Sequence, residues 1–243
     1  MLDFLSIFGQ ETPDGDATWA MSLLSGLEFT LVLVVLSWIL AMAIGSLLGV
    51  LRTTDRRWIV AFGDAWVELF RNIPLLVQFF LWYFVVPEFI PPLKRVAIEM
   101  DPTTFQLIVS VVCLGLFTSA RIAEQVKSGI LSLPRGQRMA GYALGLTQAQ
   151  TYRHVLLPMA FRIVVPPLTS ESMNLVKNSA VAYSIGLAEL FFRTREMGEM
   201  TFQYFAAFAA ATVLYVIVAL VINRVFAWIE RATAVPGYLG GKR

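Results

Sequence analysis

Charge is scarce in this sequence of 243 residues. Asp, Glu, Lys and Arg make up 15% of it, apolar residues make up 57%, and mean hydropathy is +0.68. A water-soluble domain carries about a quarter charged residues. The deficit excludes an ordinary soluble globular protein and implies apolar surface covered by lipid. Cysteine and histidine occur once each, as Cys113 and His154. One cysteine forms no internal disulfide, and one histidine without a second His or Cys at ligand spacing argues against a metal centre. No Gly-x4-Gly-Lys-Ser/Thr pattern is present to cradle phosphates, and no Ser or Cys arrangement is credible for nucleophilic catalysis. Residues 1–18 contain no Lys or Arg but carry Asp3, Glu11, Asp14 and Asp16, the wrong charge for the start of a secretory leader. The net charge of +2 is too small to suggest nucleic acid as a partner.

What the chain does have is long apolar runs. A helix needs about 20 apolar residues to cross the hydrocarbon core of a bilayer. By that measure the sequence predicts an all-α, polytopic membrane protein with about five transmembrane helices forming a single transmembrane domain over residues 1–243. The spans fall at about 27–51, 58–86, 105–122, 155–185 and 202–229. The fourth is the most irregular, being interrupted by Pro158, Pro166 and Pro167. In the first, Gly45 and Gly49 are four apart, with Ala41 one step before. Small residues at this spacing let helix backbones approach closely, so they read as packing positions.

Orientation follows from the basic residues in short loops. Arg52, Arg56 and Arg57 follow span one, and Lys127, Arg135, Arg138, Arg153 and Arg162 lie between spans three and four. Arg224, Arg231, Lys242 and Arg243 lie towards the C-terminus. Together they make twelve on one side of five spans. Lys94, Arg95, Arg193 and Arg195 make four on the other. The bias places the C-terminus in the cytoplasm and the N-terminus outside. The aromatic run Phe79 to Phe84 suits an interfacial belt. The tail from Arg231 to Arg243, with Pro236 and three glycines, reads as a mobile end.

The connection over about residues 127–157 is long for a loop between spans, and its composition is not that of a disordered segment. Leu133-Pro134-Arg135-Gly136 signals a turn. A helix-prone stretch from Gln137 to Leu144 stops at Gly145, which reads as a C-cap. A second begins at Thr147 with Gln150 three residues on, a capping box, and Pro158 reads as its close. Two short amphipathic helices rich in small residues form a docking element for a soluble partner, or else a tightly packed surface loop.

This stretch resembles the cytoplasmic signature loop of ABC importer permeases, Glu-Ala-Ala-x3-Gly-x9-Ile-x-Leu-Pro. Met139, Ala140 and Gly141 occupy the first three places, Gly145 the fixed glycine, Val155 the isoleucine, and Leu157-Pro158 the close. Met139 stands where the pattern has its glutamate. The segments Val67–Gln78, Cys113–Arg121, Ser132–Gln137 and Val165–Ala182 extend the likeness over almost the whole chain, and they are similar to the polar amino acid uptake family. That resemblance implies a type I importer permease fold in the bacterial inner (cytoplasmic) membrane. It makes the loop around Met139, Ala140, Gly141, Gly145, Leu157 and Pro158 a coupling helix seated in a groove of an ATPase subunit. It implies a second permease subunit, a paralogue or an identical copy, along with two ATP-binding subunits and an extracytoplasmic solute-binding protein. ATP and Mg would then be bound and hydrolysed on the partner subunits, with no cofactor on this chain. Within the family the likeness favours members importing glutamate and aspartate, with glutamine or a basic amino acid as the alternative. An ion-coupled secondary transporter is the other class, and against it no inverted repeat is visible.

Polar groups within the spans are the remaining signal. A charge at the bilayer centre costs about 2.5–3.5 kcal/mol on insertion scales, so such groups face a bundle interior and mark function. Glu68 and Arg71 are three apart and are positioned to pair, as are Arg121 and Glu124, and Pro74 weakens the helix just beyond Arg71. The fourth span carries Glu171, Asn174, Lys177, Asn178 and Ser179 beside a Pro166-Pro167 pair expected to disturb the helix. Broken helices at mid-depth are where transporters hold solutes. Asn174, Lys177, Asn178 and Ser179 are therefore expected along the substrate pathway, with Glu171 facing an ammonium and Arg71 as a second cation. Internal ion pairing that only sets helix register is the competing expectation.

Overall fold

The computed structural model describes residues 6–233, and among these every regular element is helical. A short 3-10 turn at Ile7–Gly9 and one bridge between Glu11 and Thr18 precede α1 (Trp19–Leu51). There follow α2 (Arg57–Asn72), α3 (Leu75–Phe80), α4 (Pro91–Glu99) and α5 (Pro102–Leu131), then the short α6 (Arg135–Ala143) and α7 (Gln148–Thr151). The last three are α8 (Leu157–Ser179), α9 (Leu190–Thr201) and α10 (Tyr204–Thr233). The tail beyond residue 233, including Pro236, Lys242 and Arg243, lies outside the described residues, as does Asp3.

Among the described residues three helices are long and apolar enough to cross a membrane: α1, α5 and α10. Each rises about 45–50 Å at 1.5 Å per residue, well beyond the roughly 30 Å of hydrocarbon. Helix α1 begins eight residues before its expected span, α5 runs from three before to nine beyond, and α10 runs four beyond. The second expected span is a pair of helices that passes the same test only jointly. The chain leaves the α conformation at Ile73, and Pro74 caps α3 with ψ 137°, because proline has no N–H to donate to the turn before it. The segment expected as span four is α8, helical for 23 residues but too polar to count as a span by composition.

Two wide turns before prolines have the same physics. Pro158 does not close the preceding helix. The turn Tyr152–Leu156 widens to a π-helix, and α8 runs on from Leu157. A second π turn, Leu81–Val85, precedes Pro87. A wider turn takes up the carbonyl that a proline ring would otherwise strike and leave without a donor. The pair Pro166-Pro167 leaves α8 unbroken. Val164, Val165 and Leu168 are buried on either side of it, and that packing outweighs the lost ladder bonds. The irregularity falls later, where Ala180–Ile185 tightens to 3-10 and stops at Gly186 with φ 89°.

The chain divides into two compact units. One comprises Ile73–Phe117, Asn174–Ala219 and the residues up to Leu40. Its core is Ile7, Trp19, Leu23, Leu190, Met197, Ala206 and Ala207. Glu189, fully buried here, caps α9 by accepting the Phe191 and Phe192 amides at 3.0 and 2.8 Å, and the Tyr215 hydroxyl donates to it at 3.3 Å. Thr30 accepts the Leu190 amide at 3.1 Å. A helix N-terminus built on a carboxylate satisfies amides that lipid could not.

The other unit comprises Ala41–Asn72, Thr118–Met173 and the residues from Leu220 on. Its core joins Ile130, Leu133, Tyr152, Leu156 and Ala160. Here the Gly45 and Gly49 expectation holds. A Cβ on Gly45 would lie 2.7 Å from the Ser119 carbonyl and from Ile122 Cβ, and one on Gly49 would lie 2.6 Å from Val126 Cβ. Glycine lets α1 and α5 meet backbone to side chain, giving the van der Waals contact that drives helix association where lipid supplies no hydrophobic force.

Candidate functional site

The connection between α5 and α8 is a folded element. Helix α5 continues to Leu131, so the loop begins at Ser132, five residues later than Lys127. Helix α6 ends in a paired motif: the Gly145 amide donates to the Tyr142 carbonyl at 2.9 Å and the Leu146 amide to the Gly141 carbonyl at 3.1 Å. This geometry requires a left-handed residue, and Gly145 has φ +77°. The capping box is also present. The Gln150 amide donates to Thr147 Oγ1 at 3.3 Å, and the Thr147 amide donates to Gln150 Oε1 at 2.9 Å.

Between these caps the two short helices fold against each other. Gly141 is buried, and a Cβ there would sit 2.8 Å from Thr151 Cγ2. The small residue in the third place of the loop pattern is thus needed for α6 to lie on α7. Met139 and Leu144 point away, 70% and 80% exposed, and Ala140 and Tyr142 are exposed with them. Leu157 packs partly buried against the core of the unit, and Pro158 is exposed on α8. These residues give the short, capped α6 an exposed, largely apolar face.

The turn after α1 holds this element in place, through contacts between residues too far apart in sequence to be read locally. Arg138 donates to Asp55 Oδ2 at 3.1 Å, and Gln148 Nε2 donates to the same oxygen at 3.2 Å. The Tyr152 hydroxyl donates to the Thr53 carbonyl at 2.7 Å. The Arg138 guanidinium lies over the Tyr142 and Tyr152 rings, 5.9 Å from each centroid. Its hydrogen bond to the Tyr142 hydroxyl, helped by Asp55, raises its pKa above the ordinary arginine value. Met139 leaves the loop without the pattern's glutamate, and Arg138–Asp55 is the ionic tether found instead.

A second cluster in the same unit went unread in the sequence. Arg52, which counts only as a topology marker there, is 7% exposed. Its Nε donates to Asp64 Oδ1 at 2.7 Å and its Nη2 to Glu124 Oε1 at 2.6 Å, while Lys127 reaches Asp64 at 3.3 Å. Gly63 makes room for it, since a Cβ there would lie 2.4 Å from Arg52 Cγ. Arg71 is directed at Glu124, at 3.9 Å, and not at Glu68, which is exposed. The expected Glu68–Arg71 pair is not made, because Glu68 faces outward while the fold brings Glu124 of α5 within reach of Arg71.

The remaining pathway candidates are on α8. Lys177 is exposed and makes no ion pair among the described residues, while Asn174 and Asn178 are half-buried. Ser179 is buried and donates to the Val176 carbonyl at 2.7 Å, so its proton is engaged within the helix. Glu171 is buried. Lys177, Asn178 and Ser179 stand at the change from α to 3-10 geometry, where backbone carbonyls shift partners.

Long apolar helices and a folded connection with an exposed apolar face are the parts of a membrane transport subunit, and the comparisons give the class. Residues 41–235 match the family of binding-protein-dependent transport system inner membrane components, and the chain belongs to it. It is a permease subunit of an ABC importer. Over 240 residues, 97% of each chain, it is 45% identical to the glutamate/aspartate import permease protein GltJ of Escherichia coli K12. It is 30% identical to the glutamate/aspartate import permease protein GltK of Escherichia coli O6:H1, covering 87% of this chain and 93% of that one. A solved amino acid ABC transporter with histidines superimposes with a TM-score of 0.77 at 25% identity, covering 96% of this chain and 99% of that one.

Proposed function

We propose that this chain carries glutamate or aspartate inward across the membrane by alternating access. The observation that carries the reading is its identity to GltJ, 45% along 97% of both chains. The coupling element is α6–α7, whose apolar face docks an ATPase subunit. ATP, with Mg, is bound and hydrolysed on two such partner subunits. A second permease subunit completes the path. A paralogue is favoured over an identical copy, since GltK is itself a relative of this chain. Solute arrives from an extracytoplasmic binding protein. The basic loops favour a cytoplasmic C-terminus and an outer N-terminus. Lys177, with Asn174, Asn178 and Ser179, lines the path, where its ammonium meets a substrate carboxylate. Glu171 and Arg71 are further candidates for polar contacts with the solute.

The test is uptake of labelled glutamate into vesicles holding this chain and its co-encoded partners, with ATP inside and the proton gradient collapsed. ATP-dependent uptake competed by aspartate, and not by glutamine or arginine, supports the reading. Competition by glutamine or arginine keeps the mechanism and replaces the substrate. Uptake that ignores ATP removes the importer mechanism.

A further inference from the structure

A cleft of about 450 Å³ opens where α1 ends, beside the start of α2 and the π turn before α8. Its walls are of two kinds. Val50, Leu51, Ile59 and Leu157 are apolar, and Arg56 and Arg153 bring two cations from elements nearly a hundred residues apart in sequence. Both arginines are exposed and neither has an ion pair among the described residues. The neighbouring acid, Asp55, is taken up by Arg138 and Gln148. No carboxylate lines the cleft. Its level in the membrane follows from α1, an apolar span that stops at Leu51. The first polar residues after a span lie among lipid headgroups. Trp58, 71% exposed on the next helix, is the residue type that settles at that depth.

We propose that this cleft binds an anionic phospholipid. Arg56 and Arg153 hold the headgroup phosphate, and the upper acyl carbons lie along Val50, Leu51, Ile59 and Leu157. Two arginines match phosphate oxygens by geometry as well as charge. The apolar wall distinguishes a lipid from a free phosphate, which would gain nothing from it. The site binds a lipid to the turn that also clasps α6 and α7, since Tyr152 lines the cleft and donates to Thr53. The inference needs only that α1 spans the membrane, and it stands or falls independently of the transported solute.

The test uses the purified complex with its ATPase subunits in neutral detergent. It is titrated with dioctanoyl phosphatidylglycerol, dioctanoyl phosphatidylcholine or inorganic phosphate, and bound lipid is read by native mass spectrometry. The expected result is preference for phosphatidylglycerol, weakened about five-fold by Arg56→Gln or Arg153→Gln and about thirty-fold by both. Arg57→Gln, outside the cleft, leaves the preference intact, and the paired Lys variants keep a measurable part of it, above the double Gln variant, which separates lost charge from lost folding. Equal binding of the two lipids, or an unchanged preference in the double Gln variant, overturns the proposal. So does displacement of the lipid by inorganic phosphate at matched concentration. Loss of the ATPase subunits from the double variant with lipid binding unchanged overturns it too, and assigns the arginines to the protein interface.

Discussion

Arg52 and Glu124 are 72 positions apart in the chain, and the Arg52 Nη2 donates to Glu124 Oε1 at 2.6 Å. The same guanidinium holds Asp64 at 2.7 Å, so one side chain bonds carboxylates of α2 and α5 from the end of α1. Removing the shared cation leaves two carboxylates facing each other. Arg52→Met is expected to destabilise the permease by about 2 kcal/mol, below the 3–5 kcal/mol of a fully buried pair because both acids are partly exposed. Thermal unfolding in nanodiscs measures it. A variant as stable as the parent would show that Lys127 and Arg71 suffice.

Gly63 carries the steric half of the same arrangement. An added methyl at 2.4 Å from Arg52 Cγ forces the arginine stem aside and lengthens both of its bonds. Gly63→Ala should therefore cost about as much as Arg52→Met, although alanine is the better helix former by about 1 kcal/mol. Combining the two should add little, since each removes the same interaction. Additive losses in the double variant would mean that Gly63 serves some other contact.

Asp55 receives both Arg138 and Gln148. The pair is largely exposed, with 75% of the Asp55 side chain accessible, so its loss should change stability by less than about 1 kcal/mol. Its effect is expected in coupling. Asp55→Asn should lower the amount of solute moved per ATP hydrolysed by several-fold, with ATPase subunits still bound. Charge reversal of both partners, Asp55→Arg with Arg138→Asp, should restore part of it. Equal transport stoichiometry in Asp55→Asn would reduce the tether to a surface contact.

Lys177 is the one α8 cation placed beside the change to 3-10 geometry. If it meets the solute carboxylate, Lys177→Met should reduce uptake at least ten-fold while assembly and basal ATPase activity stay normal, and Lys177→Arg should recover a measurable part. Normal uptake by Lys177→Met would leave the lysine without a role in the path.

The elements legible beforehand were those governed by near neighbours. The apolar runs gave α1, α5 and α10 because burying some twenty apolar residues in lipid depends on composition alone. Gly145 and the Thr147–Gln150 box were readable because caps join residues a few places apart, and Gly45 with Gly49 because helical spacing puts both on one face. The break at Pro74 was local chemistry as well. Pro158 and the Pro166-Pro167 pair were misjudged for the opposite reason: whether a proline ends a helix depends on packing around it, and a π turn or buried flanking valines overrode the missing donors.

The sequence by itself determined a helical membrane protein with a structured connection before α8, since hydropathy, spacing and capping are properties of short stretches, and its resemblance to importer permeases supplied the class. Only the tertiary structure decided that Arg52 would hold Asp64 and Glu124, that Arg138 would find Asp55, and that Glu189 would cap α9 beside Tyr215. Those pairings join groups 12, 72, 83 and 26 positions apart. A charge in an apolar environment takes whichever partner the fold brings within about 3 Å, and no local pattern names that partner in advance.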